Sequence, residues 1–118
     1  MDNSKPVYNL EERTFQFAKD CRIFIKPLPS NITNKEDSKQ LVRSSGSIGA
    51  NYIEANESLS KKDFLMRIKI SRKEAKESIY WLRLLNEINE KQINDPKRLI
   101  QEATELKKML SAIIEKSK

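Results

Sequence analysis

The side chains best placed to bind a ligand are lysines and arginines that recur along one predicted helix. The segment from residue 60 to residue 85 has eight lysines and arginines against three acidic residues, so it holds most of the net charge of +6. A local excess of positive charge attracts a polyanion better than the same charge dispersed over a surface. On a helical wheel, six of these cations share one flank: Lys62, Lys69, Arg72, Lys73, Lys76 and Arg83.

This basic flank has two interpretations. It predicts a binding site for RNA or DNA, and Tyr80 at its edge could then stack on a base. Alternatively, it is a solvated face that only keeps the protein in solution, since lysine-rich helices are common on protein surfaces.

Acidic side chains are the second set of candidate ligands, and they favour structural roles. Paired carboxylates bind two metal ions in some helical bundles, and Glu74 and Glu77 are the candidates for such a pair here. Those sites, however, also use Glu-x-x-His motifs. The chain has no histidine, so we expect no metal site. We expect Asn51 and Glu54 instead to satisfy a buried or interfacial arginine, with three candidates: Arg43, Arg67 or Arg72.

The groups that most often carry out catalysis are missing. Without histidine the chain lacks the usual general base near neutral pH. The single cysteine, Cys21, cannot form an intrachain disulfide or a zinc site, and its place on an apolar face predicts a buried, inert thiol. Gly46 and Gly49 do not form a phosphate-binding loop, because no Gly-Lys-Ser/Thr follows them. The sequence predicts no catalytic residue, no cofactor and no enzyme activity.

Four amphipathic helices must position these residues. Apolar periodicity predicts helices over about residues 10–26, 34–57, 60–89 and 95–116. Their first residues are good caps, namely Asn9, Asn34, Ser60 and Asp95. Long helices with short connections favour antiparallel neighbours, so the predicted fold class is all-α, with residues 1–118 forming one up-down-up-down four-helix bundle.

No apolar run is long enough to cross a membrane and no signal-peptide core is evident, so we expect a cytoplasmic protein without membrane contact.

Small residues fill the middle of the second predicted helix, including Gly46 and Gly49. An interior glycine costs about 1 kcal/mol relative to alanine in a helix. The simplest compensation is the close approach of a neighbouring helix, which we expect at Gly49.

A second apolar stripe lies on the third predicted helix, away from its core-facing seam. A contiguous patch of this kind, with an aromatic residue in it, is typical of a subunit interface. We therefore predict a homo-oligomer, which most often closes by symmetry. The alternative is that loops or the N-terminal segment, with Val7 and Tyr8, cover the stripe. Its members are Met66, Ile70, Trp81, Leu84 and Ile88.

Three segments also resemble a known family. They are SIGANYIEA at residues 47–55, SLSKKDF at residues 58–64 and ISRKEAKESIYWLRLL at residues 70–85. The chain resembles, over about residues 10–115, the four-helix-bundle proteins encoded in intervening sequences of bacterial 23S rRNA genes, sometimes labelled S23 ribosomal protein. It departs from the family pattern at Tyr52, where a small aliphatic residue is commoner, and at Ala55, where glycine is commoner.

The resemblance implies an antiparallel bundle that assembles into a pentameric ring. A more distant resemblance, to the accessory variability determinant protein of diversity-generating retroelements, implies a basic ring that binds a reverse transcriptase and nucleic acid. Two functions are therefore weighed. In the first, a homopentamer binds RNA or DNA without sequence preference through the basic flank. In the second, an adaptor ring docks a protein partner such as a reverse transcriptase, and its charge is only solubilising.

Overall fold

Four helices make up the described part of the chain. The computed structural model describes residues 9–89 and 95–118, and the suggested covering of the apolar stripe by Val7 and Tyr8 lies outside them. Each helix packs against the next along the chain, and α1 also contacts α4. This arrangement confirms the all-α four-helix bundle. The helices are α1 (Leu10–Ile25), α2 (Ile32–Asn56), α3 (Lys61–Ile88) and α4 (Lys97–Ser117).

Polar caps determine where the first three helices begin. Asn9 caps α1 and Ser60 caps α3, as predicted, because each side chain accepts a backbone N–H three residues further on. The predicted start of α2 at Asn34 is wrong by two residues. Asn31 is the cap, and its Oδ1 accepts the backbone N–H of Asn34 at 2.9 Å.

The start of α4, in contrast, is later than predicted. Asp95 Oδ1 accepts the backbone N–H of Lys97 at 2.9 Å, but Pro96 occupies the N-cap position. The carbonyl of Pro96 then accepts the first helical hydrogen bond, from the N–H of Ile100 at 2.9 Å. The Asp-Pro pair therefore starts the helix, although the first helical residue is Lys97.

Asn34 has a different role from the predicted one, since its side chain is buried against the end of α3. Asn34 Nδ2 donates to Asn89 Oδ1 at 2.8 Å, and Asn89 Nδ2 donates to Asn34 Oδ1 at 2.6 Å. The two amides also donate to the carbonyls of Pro29 and Leu85. Buried amides need such partners, so this closed pair aligns α2 with α3.

Hydroxyl groups and small side chains lie where α2 meets α3. Ser71 Oγ donates to the carbonyl of Ile48 at 2.7 Å, and the hydroxyls of Ser44 and Ser78 are 2.9 Å apart. These serines are fully buried and hydrogen-bonded, which offsets their desolvation. The surrounding aliphatic core contains Leu41, Ile48, Ile68, Leu82, Leu85, Leu106 and Leu110.

The helix α2 approaches α1 closely at Gly49, as predicted. A Cβ atom on Gly49 would lie only 2.7 Å from Thr14 Oγ1. That hydroxyl is held in place, because it donates to the carbonyl of Leu10 at 2.7 Å. At Gly46 the nearest atom to an added Cβ is Arg22 Nη2 at 3.3 Å, which is the end of a flexible side chain. Only Gly49 is therefore required by a rigid contact.

Candidate nucleic-acid interface

A groove of about 440 Å³ between α3 and α4 is lined mainly by cationic side chains. Five of its six lining residues are lysine or arginine, and the sixth is a serine. Four of the predicted cations lie here, and α4 adds two further residues. The lining consists of Lys69, Arg72, Lys73, Lys76, Lys107 and Ser111.

The helical spacing of α3 explains this alignment. Lys69, Lys73 and Lys76 follow one another at four- and three-residue intervals, which places them on one face, and all three are exposed. Arg72 lies nearer to α4 and is half-buried. Its Nη1 donates to Ser111 Oγ at 3.2 Å, so this arginine also links the two walls of the groove.

The positive charge of the groove is not neutralised within the described part of the chain. None of its lysines forms an ion pair there, and no carboxylate lines the groove. Other cations do have such partners, since Arg13 pairs with Glu102 at 2.7 Å across α1 and α4. The groove can therefore hold phosphate oxygens without first breaking internal ion pairs.

Two predicted cations do not line this groove. Lys62 is in the first turn of α3, and Arg83 is almost two turns beyond Lys76. Both side chains are exposed on the same helix, but neither belongs to the lining. The wheel groups residues by angle alone and could not show that the groove occupies only the middle of α3.

Sequence reasoning missed Lys107, which the structure brings opposite the α3 lysines. Its signal is weak, because Lys108 also lies between the buried Leu106 and Leu110, and Lys107 differs from it only in sharing a helix face with Ser111. The rotation of α4 about its axis decides whether Lys107 or Lys108 faces α3. That rotation is set by the packing of the bundle and cannot be predicted from the α4 sequence alone.

Tyr80 lies one helical turn beyond Lys76, and its side chain is 55% exposed. Its ring makes an edge contact with the indole of Trp81, with centroids 4.9 Å apart and planes at 82°. Trp81 is itself half-buried and packs against the core. The Tyr80 ring is thus supported on one side and open to solvent on another.

The predicted apolar stripe on α3 is only partly free. Met66 and Ile88 are 46% and 44% exposed, whereas Ile70, Trp81 and Leu84 are half-buried. The indole Nε1 of Trp81 is buried and has no hydrogen-bond partner among the described residues. Trp81 therefore contributes to the core of the bundle as well as to the stripe.

A second apolar surface, which sequence reasoning missed, lies between α1 and α2. It is a groove of about 880 Å³ whose floor includes Gly46 and Gly49. Phe15, Ile23 and Ile53 line it and are 64%, 48% and 44% exposed. The small residues of α2 leave this groove open, because they bring no side chain to fill it.

The acidic residues form structural contacts. Glu74 is buried on α3, and Arg43 of α2 donates to its Oε1 at 3.3 Å and to Glu77 Oε1 at 2.8 Å. Burial acts to lower the pKa of Arg43, but the two carboxylates outweigh it and the pKa is raised, so the guanidinium stays charged. This ion pair compensates the burial of Glu74.

The other predicted polar pair behaves differently. Asn51 Oδ1 accepts a hydrogen bond from Arg67 Nη1 at 3.2 Å, and its amide donates to the carbonyl of Ser47. Glu54 is exposed to solvent near the end of α2, so its carboxylate needs no arginine to compensate burial.

Neither the thiol nor the carboxylates form a reactive or metal-binding centre in the part of the chain that is described. Burial raises the pKa of Cys21 to about 12, so the thiol stays protonated at neutral pH. Within residues 9–89 and 95–118, no group of three acidic or cysteine side chains could hold a metal ion. None of the helices there has the length and apolar character needed to cross a bilayer.

Comparisons with known proteins decide the family. The family model of 23S rRNA-intervening sequence proteins matches residues 8–112, which is most of the chain. This chain belongs to that family. This match confirms the resemblance stated from the sequence. It does not bear on the more distant resemblance to the retroelement protein.

A solved structure supports the same assignment to the 23S rRNA-intervening sequence family. The chain is similar to a protein of unknown function of the S23 ribosomal protein family from Bacteroides thetaiotaomicron. The two chains share 33% identity and a TM-score of 0.76, over 89% of this chain and 94% of the other. No curated protein matches the chain.

Proposed function

We propose that this member of the 23S rRNA-intervening sequence family is a non-catalytic, homo-oligomeric nucleic-acid-binding protein of the cytoplasm. In this proposal the groove between α3 and α4 holds phosphates of RNA or DNA. One observation supports it above the others. Five cations line one groove without a neutralising carboxylate among the described residues. Unpaired cations aligned in a groove are the usual electrostatic footprint of a nucleic-acid site.

The binding is expected to be indifferent to sequence. Lysine contacts to phosphate position a strand but do not distinguish bases. The free energy of binding then comes mainly from counterions released by the nucleic acid, so affinity falls as salt rises.

A salt titration is the direct test of this function. Fluorescence anisotropy with labelled RNA and DNA should show binding at about 50 mM salt, with affinities that do not depend on base sequence. If all five groove cations contact phosphates of one strand, the log–log slope against salt should be about −3.5 to −4.5. Absence of binding at about 50 mM salt would contradict the proposal and favour the second function, a ring that docks a protein partner.

Self-association is the second part of the proposal, and the resemblance implies a ring of five. A cyclic ring with more than two subunits needs two different complementary faces on each subunit. The exposed part of the α3 stripe and the α1–α2 groove are two apolar surfaces of one chain, on different helices. A ridge of one copy packed into the groove of the next would remove both from water, with a gain of about 25 cal/mol per Å² of buried apolar area.

The assembly can be tested from either face. Light scattering after size exclusion should give a mass several times that of the 13.8 kDa chain. Met66→Glu with Ile88→Glu should yield a monomer, because a charge would be buried against an apolar partner. Phe15→Glu with Ile53→Glu should yield a monomer from the other face, and a mixture of the two variants should form only a one-to-one complex.

A matched control changes exposed apolar residues that belong to neither surface. Ile32 and Leu59 are 77% and 100% exposed. Ile32→Glu with Leu59→Glu should leave the mass unchanged. A wild-type monomer at micromolar concentration would refute the assembly, and a groove variant that assembled normally would exclude the α1–α2 surface.

A further inference from the structure

We infer that the strand held in the α3–α4 groove is single-stranded, and that one of its bases stacks on Tyr80. This inference rests on the proposed function, because it requires that the groove bind phosphates. It adds the class of nucleic acid and a residue outside the groove lining.

The first argument is position. Tyr80 follows Lys76 by four residues and Lys73 by seven, so the three lie on one face of α3. The rise of a helix places Tyr80 about 6 Å beyond Lys76 along the axis. A strand whose phosphates lie along these lysines therefore brings a nucleotide to the ring.

The second argument is the state of the ring. Tyr80 is 55% exposed, and the edge contact with Trp81 at 4.9 Å limits its orientations. An aromatic ring that is already oriented loses less conformational entropy when a base stacks on it. The nearby lysines have no ion pairs in the described part of the chain, so a strand can approach the ring without displacing a partner.

The third argument separates single strands from duplexes. Bases in a duplex are stacked on their neighbours and paired, so their faces are not available to a side chain. A single strand offers those faces, and stacking on aromatic residues tolerates any base. Tyr80 should therefore strengthen single-strand binding alone, whereas the lysines act on both forms.

Two substitutions of similar size test the role of the ring. Tyr80→Phe keeps a flat aromatic face, and Tyr80→Leu keeps an apolar side chain without one. Anisotropy would be measured with a labelled single strand and with the same strand annealed to its complement, at one low salt concentration. We expect Tyr80→Leu to weaken single-strand binding by about 5- to 150-fold and Tyr80→Phe to change it by less than about threefold. Duplex binding should be unchanged in both variants.

The only tryptophan of the chain is a second readout. Because Trp81 contacts the Tyr80 ring, its fluorescence should change when a single strand binds to the wild type but not when a duplex binds. Circular dichroism and light scattering on both variants check that fold and mass are unchanged.

These outcomes distinguish a failure of the stacking inference from a failure of the proposed nucleic-acid-binding function. If wild type binds single strand and duplex equally, and Tyr80→Leu binds both as wild type does, the stacking inference is wrong and the phosphate groove stands. If Tyr80→Leu changes the mass of the assembly and not the relative affinity for single strands, Tyr80 belongs to the subunit interface and the inference is also wrong. If wild type binds neither probe, both proposals fail.

Discussion

Reversing the charge of the four groove lysines should lower the affinity for RNA and DNA by at least about 100-fold. The variant is Lys69→Glu, Lys73→Glu, Lys76→Glu and Lys107→Glu, and Arg72 is kept because it links α3 to α4 through Ser111. Each change removes an attraction to phosphate and adds a repulsion. The bundle should be unaffected, since three of these side chains are exposed and the fourth is half-buried. Anisotropy at about 50 mM salt measures the loss.

The matched control is a variant with the same net charge as the groove variant, but its four substitutions lie outside the groove. Lys35, Lys61, Lys97 and Lys108 are exposed and lie outside it. Three of them are in the first turn of a helix, where glutamate interacts favourably with the helix dipole, so their reversal should not impair folding. The control should retain most of the affinity. Equal losses in the two variants would show that binding follows overall charge and that the groove is not a site.

Replacing Gly49 by leucine should lower the free energy of unfolding by about 1–3 kcal/mol. Even the Cβ atom would lie 2.7 Å from Thr14 Oγ1, and this hydroxyl is hydrogen-bonded to the carbonyl of Leu10. Because α1 cannot yield locally, it must move away from α2, and packing between the two helices is lost. Urea unfolding followed by circular dichroism measures the change.

Gly46→Ala is the comparison for this substitution. It removes the same kind of helix-interior glycine, but its Cβ would meet only the end of the Arg22 side chain at 3.3 Å. Arg22 is exposed and can shift, so the better helix propensity of alanine should raise the free energy of unfolding by up to about 1 kcal/mol. If Gly49→Leu unfolded at the same urea concentration as wild type, the contact with Thr14 would not be rigid.

The cations of the α3–α4 groove show what a helical wheel can and cannot predict. The wheel placed Lys69, Arg72, Lys73 and Lys76 on one flank, and the structure finds them in one groove. It could not find Lys107, because the partner of α3 on that side is a helix whose rotation depends on packing. It could not separate Lys62 and Arg83 from the groove, because a wheel shows angles and not how far a groove extends along the helix.

The apolar surfaces show the same limit. The stripe on α3 was predicted from periodicity, but the wheel could not show that Trp81 turns partly into the core. The α1–α2 groove was missed, because it depends on small residues of α2 facing a gap beside α1. A surface that two helices share cannot be read from the period of either one.

The sequence by itself determined the class of the fold, the number of helices, the caps Asn9 and Ser60 and the close approach at Gly49. The fold class, the helices and the caps depend on local hydrogen bonds and on a helical period that neighbouring residues already encode. The close approach at Gly49 follows from the cost of a glycine in a helix interior, which a tight contact with a neighbouring helix offsets. Only the tertiary structure decided that Asn34 pairs with Asn89 and does not cap α2, and that Lys107 faces the α3 lysines. Both depend on the relative rotation and axial position of whole helices, which the packing of many side chains sets together.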